Sequence, residues 1–183
     1  MLQVGPKVKD VAQRQLEQRS AGPRTPNTRP VTTIKSWALG DLQFRTTVEG
    51  HSFISDEGAH GGGRDAAPAP LRFFLAGIVM CHEVWTVKSA TVLGIELDKL
   101  ECEMAGFVGP GAPDEPDDAS AFARLEYKMS IDSSAPPEQI KMIVDQAARR
   151  CPAFATARRA VPIELTLEHN GTVIEERTYG PSR

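Results

Sequence analysis

Three cysteines, Cys81, Cys102 and Cys151, carry the sharpest chemical options in this chain. Cys151 directly precedes Pro152. With Pro152 as the first helical residue, Cys151 is the N-cap, where free backbone N–H groups and the helix dipole favour a thiolate. Arg149 and Arg150 adjoin it in sequence and add positive potential. The placement predicts that Cys151 ionises at lower pH than Cys102. Cys81 lies mid-helix in an apolar stretch, where burial raises a thiol's pKa and leaves it inert unless a cation or donor arrives from elsewhere. Cys102 alternates with Leu100 and Met104, which reads as a core position.

Other chemistries find less support. Cys81, His82 and Glu83 are adjacent, and neighbours on a helix point about 100° apart, so they do not converge on one ion. His51, His60 and His169 fall on loops or turns without paired spacing. No G-x-S-x-G elbow occurs, which removes the basis for a serine triad. Gly61-Gly62-Gly63 lack the phosphate-loop and dinucleotide spacings, so a tight backbone turn is the better reading there. No metal and no cofactor are expected.

The elements that must position the thiols follow from periodicity. Val8 to Glu17 fits one short helix, and Pro and Gly punctuate residues 21–27 as a linker. Residues 1–30 therefore read as an N-terminal arm, draped on the surface or on a partner subunit, and 31–183 as the domain. Alternation from Val31 to Ser55, with Gly50 at a turn, predicts two or three antiparallel strands. Pro70 opens and Gly94 closes a helix over Leu71–Leu93 that carries Cys81. Its first half is apolar nearly all round, so protein must surround it. Ile95 to Val108 reads as a strand, and residues 109–120 as an acidic, Pro-rich connection. Ala123 to Ile131 alternates cleanly as a half-buried strand. A helix opening at residues 133–138 shows an inner face of Ile140, Ile143, Val144 and Ala147. A short helical turn follows Pro152 to about Arg159. The chain then closes in a hairpin whose Asn170-Gly171 is a type I′ turn signal.

Composition sets the outer limits. The 183 residues fit one domain. Lys and Arg total 21 against 24 Asp and Glu, a net charge of −3, which lacks a nucleic-acid footprint or a polybasic membrane anchor. Three cysteines do not make a disulfide-stapled secreted scaffold. No uninterrupted apolar run reaches the ~18–20 residues of a bilayer span, and the N-terminus has no apolar signal core. Asn170-Gly171-Thr172 matches a glycosylation sequon by chance. A reducing cytoplasm is the expected compartment.

The order of landmarks resembles the OsmC/Ohr family, the osmotically inducible protein C and organic hydroperoxide resistance proteins. Those landmarks are Asp56-Glu57, a Gly-rich loop, Pro70-Leu71, an apolar helix bearing Cys81, Gly94-Ile95-Glu96-Leu97, and Cys151-Pro152 70 positions after Cys81. The resemblance covers about residues 31–169. It implies an α+β fold with antiparallel sheets wrapped around a long central helix, in an intertwined homodimer with active sites at the subunit interface. It also implies reduction of a small-molecule hydroperoxide with a thiol reductant, Cys81 being the peroxidatic and Cys151 the resolving cysteine.

The chain departs from that pattern in two respects. The peroxidase branches carry an acid after the helix-opening proline, which holds an arginine over the reactive thiol. Here Leu71 and Arg72 stand there. The family's arginine comes from the first β-hairpin, where residues 35–41 offer no clear match for it. Lys35 and Arg45 are the nearby candidate cations, Arg72 is a further supporting candidate, and Glu57, Asp56 or Glu83 are the candidate acids. The missing acid favours a second reading, a non-peroxidase relative that binds a small apolar ligand at the dimer interface. The retained cysteine pair favours the enzyme.

Overall fold

In the computed structural model, which describes residues 2–20, 30–110 and 120–180, the chain is α+β. Its order is α1 (Pro6–Ser20), β1 (Lys35–Gly40), β2 (Gln43–Val48), β3 (His51–Asp56), a 3₁₀ turn (Ala59–Gly61), α2 (Pro70–Leu93), β4 (Lys99–Pro110) and β5 (Ser120–Asp132). α3 (Pro137–Arg150), α4 (Pro152–Ala160), β6 (Ile163–His169) and β7 (Thr172–Tyr179) complete it. The linker expected at 21–27 and most of the acidic connection at 109–120 lie outside the described residues. Described residues through Ser20 and from Leu75 onward form one compact unit, and those between, up to Phe74, form another.

In the smaller unit β1, β2 and β3 make an antiparallel sheet in that order. Glu49 and Gly50 both take positive φ, the type I′ geometry that matches strand twist. The loop after β3 folds onto carboxylates. Buried Asp56 accepts from the Arg64 and Ala66 N–H groups at 3.4 and 3.1 Å, and the Glu57 side chain accepts from Gly58 N–H at 2.9 Å. A Cβ on Gly63 would lie 1.9 Å from the Glu57 carbonyl oxygen, so that position requires glycine. These acids take up N–H groups that a phosphate would need.

α2 ends where Gly94 turns left-handed at φ 68°, with Gly94 N–H on the Thr91 carbonyl and Ile95 N–H on that of Ala90. This paired C-terminal closure uses the backbone of Ile95. Leu97 in turn accepts from Leu2 N–H at 2.7 Å, and pairing with β5 opens only at Asp98 N–H to Asp132 O. β4 therefore starts at Lys99, four residues later than periodicity predicted. α1 runs further than expected at both ends.

The larger sheet runs β4-β5-β6-β7. It is mixed, not wholly antiparallel, because β5 and β6 pair parallel. The α3–α4 crossover brings the chain back to the end from which β5 started, and that connection dictates a parallel neighbour. Leu125, Tyr127, Met129 and Ile131 of β5 and Ile163, Leu165 and Leu167 of β6 face one core. α3 covers it with Ile140, Ile143, Val144 and Ala147, and α4 with Phe154 and Ala157. The β6–β7 turn has Asn170 and Gly171 both at positive φ. The Asn170 amide donates to Ser133 O and accepts from Ser133 N–H, so it is committed to the turn.

α2 buries one stripe, Ile78, His82, Trp85, Thr86, Ser89 and Ala90. Met80 and Val84, one turn apart, stay 56% and 50% exposed. The described residues do not surround this helix. α2 also satisfies a length-and-composition test for a membrane span, with mean hydropathy 1.2 over 18 residues. Glu83 and Lys88 inside it, and its stripe in the core, suit the central helix of a protein interior.

Candidate functional site

The site is built where α2, α4 and the β4–β5 pair meet within the larger unit. Pro152 opens α4, and Cys151 is its N-cap with the Phe154 N–H donating to the thiol sulfur at 3.3 Å. The cap geometry is as the Cys-Pro pair predicts. Its electrostatic outcome is the reverse. Cys151 is fully buried, and burial pushes the thiol up to about 12. The Phe154 N–H opposes that shift and loses, because a lone N–H and a dipole in an apolar pocket do not repay the lost hydration of a thiolate. The neighbouring arginines are engaged elsewhere, Arg149 with Asp145 and Arg150 with the Gln146 side chain.

Cys81 is half-buried on α2, and its nearby thiol pushes the Cys151 pKa further up. All three cysteines are free thiols. The fold thus brings together the two cysteines nominated from sequence, one partly accessible and one enclosed. Lys35, Arg45, Glu57 and Arg72 belong to the smaller unit. Lys35 opens β1 and Arg45 sits in β2, both exposed. Glu57 caps Gly58, and Arg72 is exposed in the first turn of α2.

Cys102 departs from a plain core reading. Burial pushes its thiol up to about 12, as it does that of Cys151, so the expected order of ionisation finds no support, and polar groups lie nearby. Tyr127 O–H donates to its sulfur at 3.2 Å, and the nearby Glu83 carboxylate pushes the thiol pKa further up. The Tyr127 oxygen also lies 3.1 Å from His82 Nδ1. His82 is fully buried and stacks on Phe154 at 4.4 Å. From sequence, His82 is weighed only as a metal ligand and Tyr127 only as a strand position facing the core. The available signals were a histidine inside an apolar helix and the one polar-tipped residue on the inner face of β5. Among the described residues no cluster of three His, Cys, Asp or Glu side chains is arranged to hold a metal ion.

Burial lowers the His82 pKa from its ordinary 6.5 to about 4, against a raising influence of the Val144 backbone. No hydrogen bond of ordinary geometry reaches Nε2 among the described residues. The unfolded chain binds a proton on this ring in a pH range where the folded chain does not. Its stability contribution is therefore complete above pH 6.5 and lost as pH falls toward 4, up to about 3 kcal/mol. Urea unfolding at pH 7 and 4.5 measures this. His82→Phe, which cannot titrate, should flatten the difference; an equally steep dependence in that variant would assign it to other groups.

A family model described as OsmC-like protein matches residues 61–166, more than half of the chain. Among curated proteins none matches by sequence. Several solved structures share the fold. An OsmC-like protein from Mycoplasma pneumoniae superposes with TM-score 0.64 at 19% identity, over 76% of this chain and 99% of its own. An organic hydroperoxide resistance protein from Elizabethkingia anophelis gives 0.62 at 18%, over 78% and 100%. An organic hydroperoxide resistance protein OsmC from Legionella pneumophila gives 0.58 at 19%, over 78% and 99%.

Proposed function

Since the chain belongs to the OsmC-like protein family, we propose that it reduces organic hydroperoxides with a pair of thiols, Cys81 peroxidatic and Cys151 resolving. The observation that carries this reading is the juxtaposition of the two thiols, one half-buried and the other enclosed at a helix N-terminus. The Cys81 thiolate attacks the distal oxygen of the hydroperoxide and the O–O bond breaks. Cys81 becomes a sulfenic acid, and the departing alkoxide takes a proton to leave as alcohol. The Cys151 sulfur then attacks the Cys81 sulfur, expelling the hydroxyl with the thiol proton as water and closing a disulfide. A thiol reductant returns both sulfurs to the reduced state by exchange.

The high Cys151 pKa suits the second role. A resolving thiol kept protonated and out of solvent does not compete for peroxide, and it reacts only with the sulfenic acid formed beside it. Adding cumene hydroperoxide to the reduced protein should remove two hydrogens by mass and join the peptides carrying Cys81 and Cys151. If both thiols stay free after long exposure, the peroxidase reading falls. The alternative, a relative binding a small apolar ligand, then stands on the absence of an acid at Leu71 and Arg72.

The same reading places the protein in the cytoplasm as a homodimer. The apolar face of α2 around Met80 and Val84 supports self-association, since this surface costs free energy in water. Light scattering at micromolar concentration should return twice the chain mass, and a monomer there would sink the dimer.

A further inference from the structure

The two-thiol scheme leaves the C-terminal end of α2 unused, and the larger unit carries a groove there. Its volume is about 660 Å³, within the range of sites for small organic ligands. The lining comes from three places: Val87 and Thr91 on the last two turns of α2, Ile95 and Leu97 beyond the Gly94 turn, and Leu2 and Val4 ahead of α1. Glu96 stands among them. We propose that this groove binds a small amphiphile, its apolar body on these side chains and a protonated amine head at Glu96. The proposal does not rest on the thiol reading, since no cysteine lines the groove.

The lining is held in place by hydrogen bonds of its own. Leu2 N–H donates to Leu97 O at 2.7 Å, which ties the start of the chain to the segment after α2. Val8 N–H on Gly5 O at 3.0 Å leads into α1, and Lys88 Nζ donates to the Gln15 side chain at 3.0 Å, which holds α1 to α2. Ile95 N–H is taken by Ala90 O, and the Glu96 carbonyl accepts from Ser133 Oγ at 2.6 Å. Thr91 Oγ1 donates to Val87 O at 2.7 Å, so its proton is spent. A lining fixed in advance spares a ligand the cost of ordering it. Leu2 and Val4 nonetheless stay 39% exposed each, and that apolar surface is what a ligand's body would remove from water.

The charge at the groove has one sign. Glu96 is exposed there, and among the described residues no Lys, Arg or His lines it. The last turn of α2 holds no basic side chain, so the negative end of the helix dipole adds to the Glu96 carboxylate without compensation from that turn. Lys88, one turn earlier, is engaged by Gln15 and by the Trp85 ring, 4.9 Å from its centroid. An apolar lining with a negative end complements a molecule that is apolar along its body and positive at its head, and it repels a fatty carboxylate. Val87 and Thr91 continue the line of Met80 and Val84 at helical spacing, which makes a second copy of the chain the rival occupant. Apolar side chains of a second copy would strip water from Glu96 and the helix end without pairing them, whereas an amine pairs with both.

Calorimetric titration of the whole reduced chain at pH 7 with decylamine, decanol and decanoate, which share one tail, separates charge from burial. Decylamine should bind roughly three- to tenfold more tightly than decanol, and decanoate more weakly than either. Glu96→Gln should bring the amine to within about twofold of the alcohol, and Glu96→Lys should reverse the order so that decanoate leads. Glu96 is exposed, so neither change disturbs the core. Val4→Ser should weaken all three probes by roughly threefold, because it removes apolar lining and no charge. Absence of decylamine binding at millimolar concentration, or decanoate binding as tightly as decylamine, would overturn the proposal. Affinities that ignore both Glu96 and Val4 would place the probes elsewhere and overturn it too. Decylamine binding that appears only as dilution dissociates a dimer would assign the groove to a second copy, which also overturns it. These outcomes are read without hydroperoxide, so a failed peroxidase reading and a failed groove are told apart.

Discussion

Cys81→Ser is expected to abolish hydroperoxide consumption, while Cys151→Ser completes one turnover and stops with a sulfenic acid on Cys81. The asymmetry follows from the order of the steps. Attack on the peroxide needs a nucleophilic sulfur, and a serine hydroxyl, essentially never ionised near neutral pH, does not replace it. Resolution needs a second sulfur within disulfide reach, and without one the sulfenic acid persists until an external thiol or excess peroxide takes it. A dimedone adduct on Cys81 in Cys151→Ser, absent from Cys81→Ser, is the diagnostic result. An adduct on Cys151 in the wild type would reverse the two roles. The missing helix-opening acid bears on rate. Leu71→Glu or Arg72→Glu is the variant that asks whether an arginine is within reach to be held over the thiol.

The largest expected effect on stability is at Phe154. Phe154→Ala should cost about 3–5 kcal/mol, because its side chain is fully buried and three aromatic or imidazole rings pack on it. Helix α4 is short, so little can collapse into the space without unseating it. Guanidinium unfolding reads the loss, and Phe154→Leu, which refills most of the volume, should recover a large part. A cost below about 1 kcal/mol would mean that α4 repacks freely and that the ring stack does not hold the Cys151 cap in place.

Much of the scaffold is legible in single stretches of sequence because its causes are local. The alternation of Leu125, Tyr127, Met129 and Ile131 fixes a strand with one buried face. The spacing of Ile140, Ile143, Val144 and Ala147 fixes the inner face of α3. Asn170-Gly171 forms its turn because both residues tolerate positive φ. Cys151-Pro152 makes a helix N-cap because proline gives up an N–H that has no partner there anyway. The nomination of Cys81 and Cys151 as a pair came from this local pattern and the family it resembles, and the fold does bring the two thiols together.

What the tertiary structure decided are the quantities set by several distant segments at once. Whether the N-cap lowers the Cys151 pKa depends on burial by α2 and the sheet, and there desolvation outweighs the dipole. The parallel pairing of β5 with β6 depends on where the α3–α4 crossover returns, and the start of β4 on backbone groups claimed by Leu2 and Ala90. Cys102 reads as core in its own strand because periodicity reports only which way a side chain faces. The groups that bear on it there, Tyr127 from β5 and Glu83 from α2, are 25 and 19 residues away. Sequence determined which residues face inward; only the packing of separate elements set what they meet there and what charge they hold.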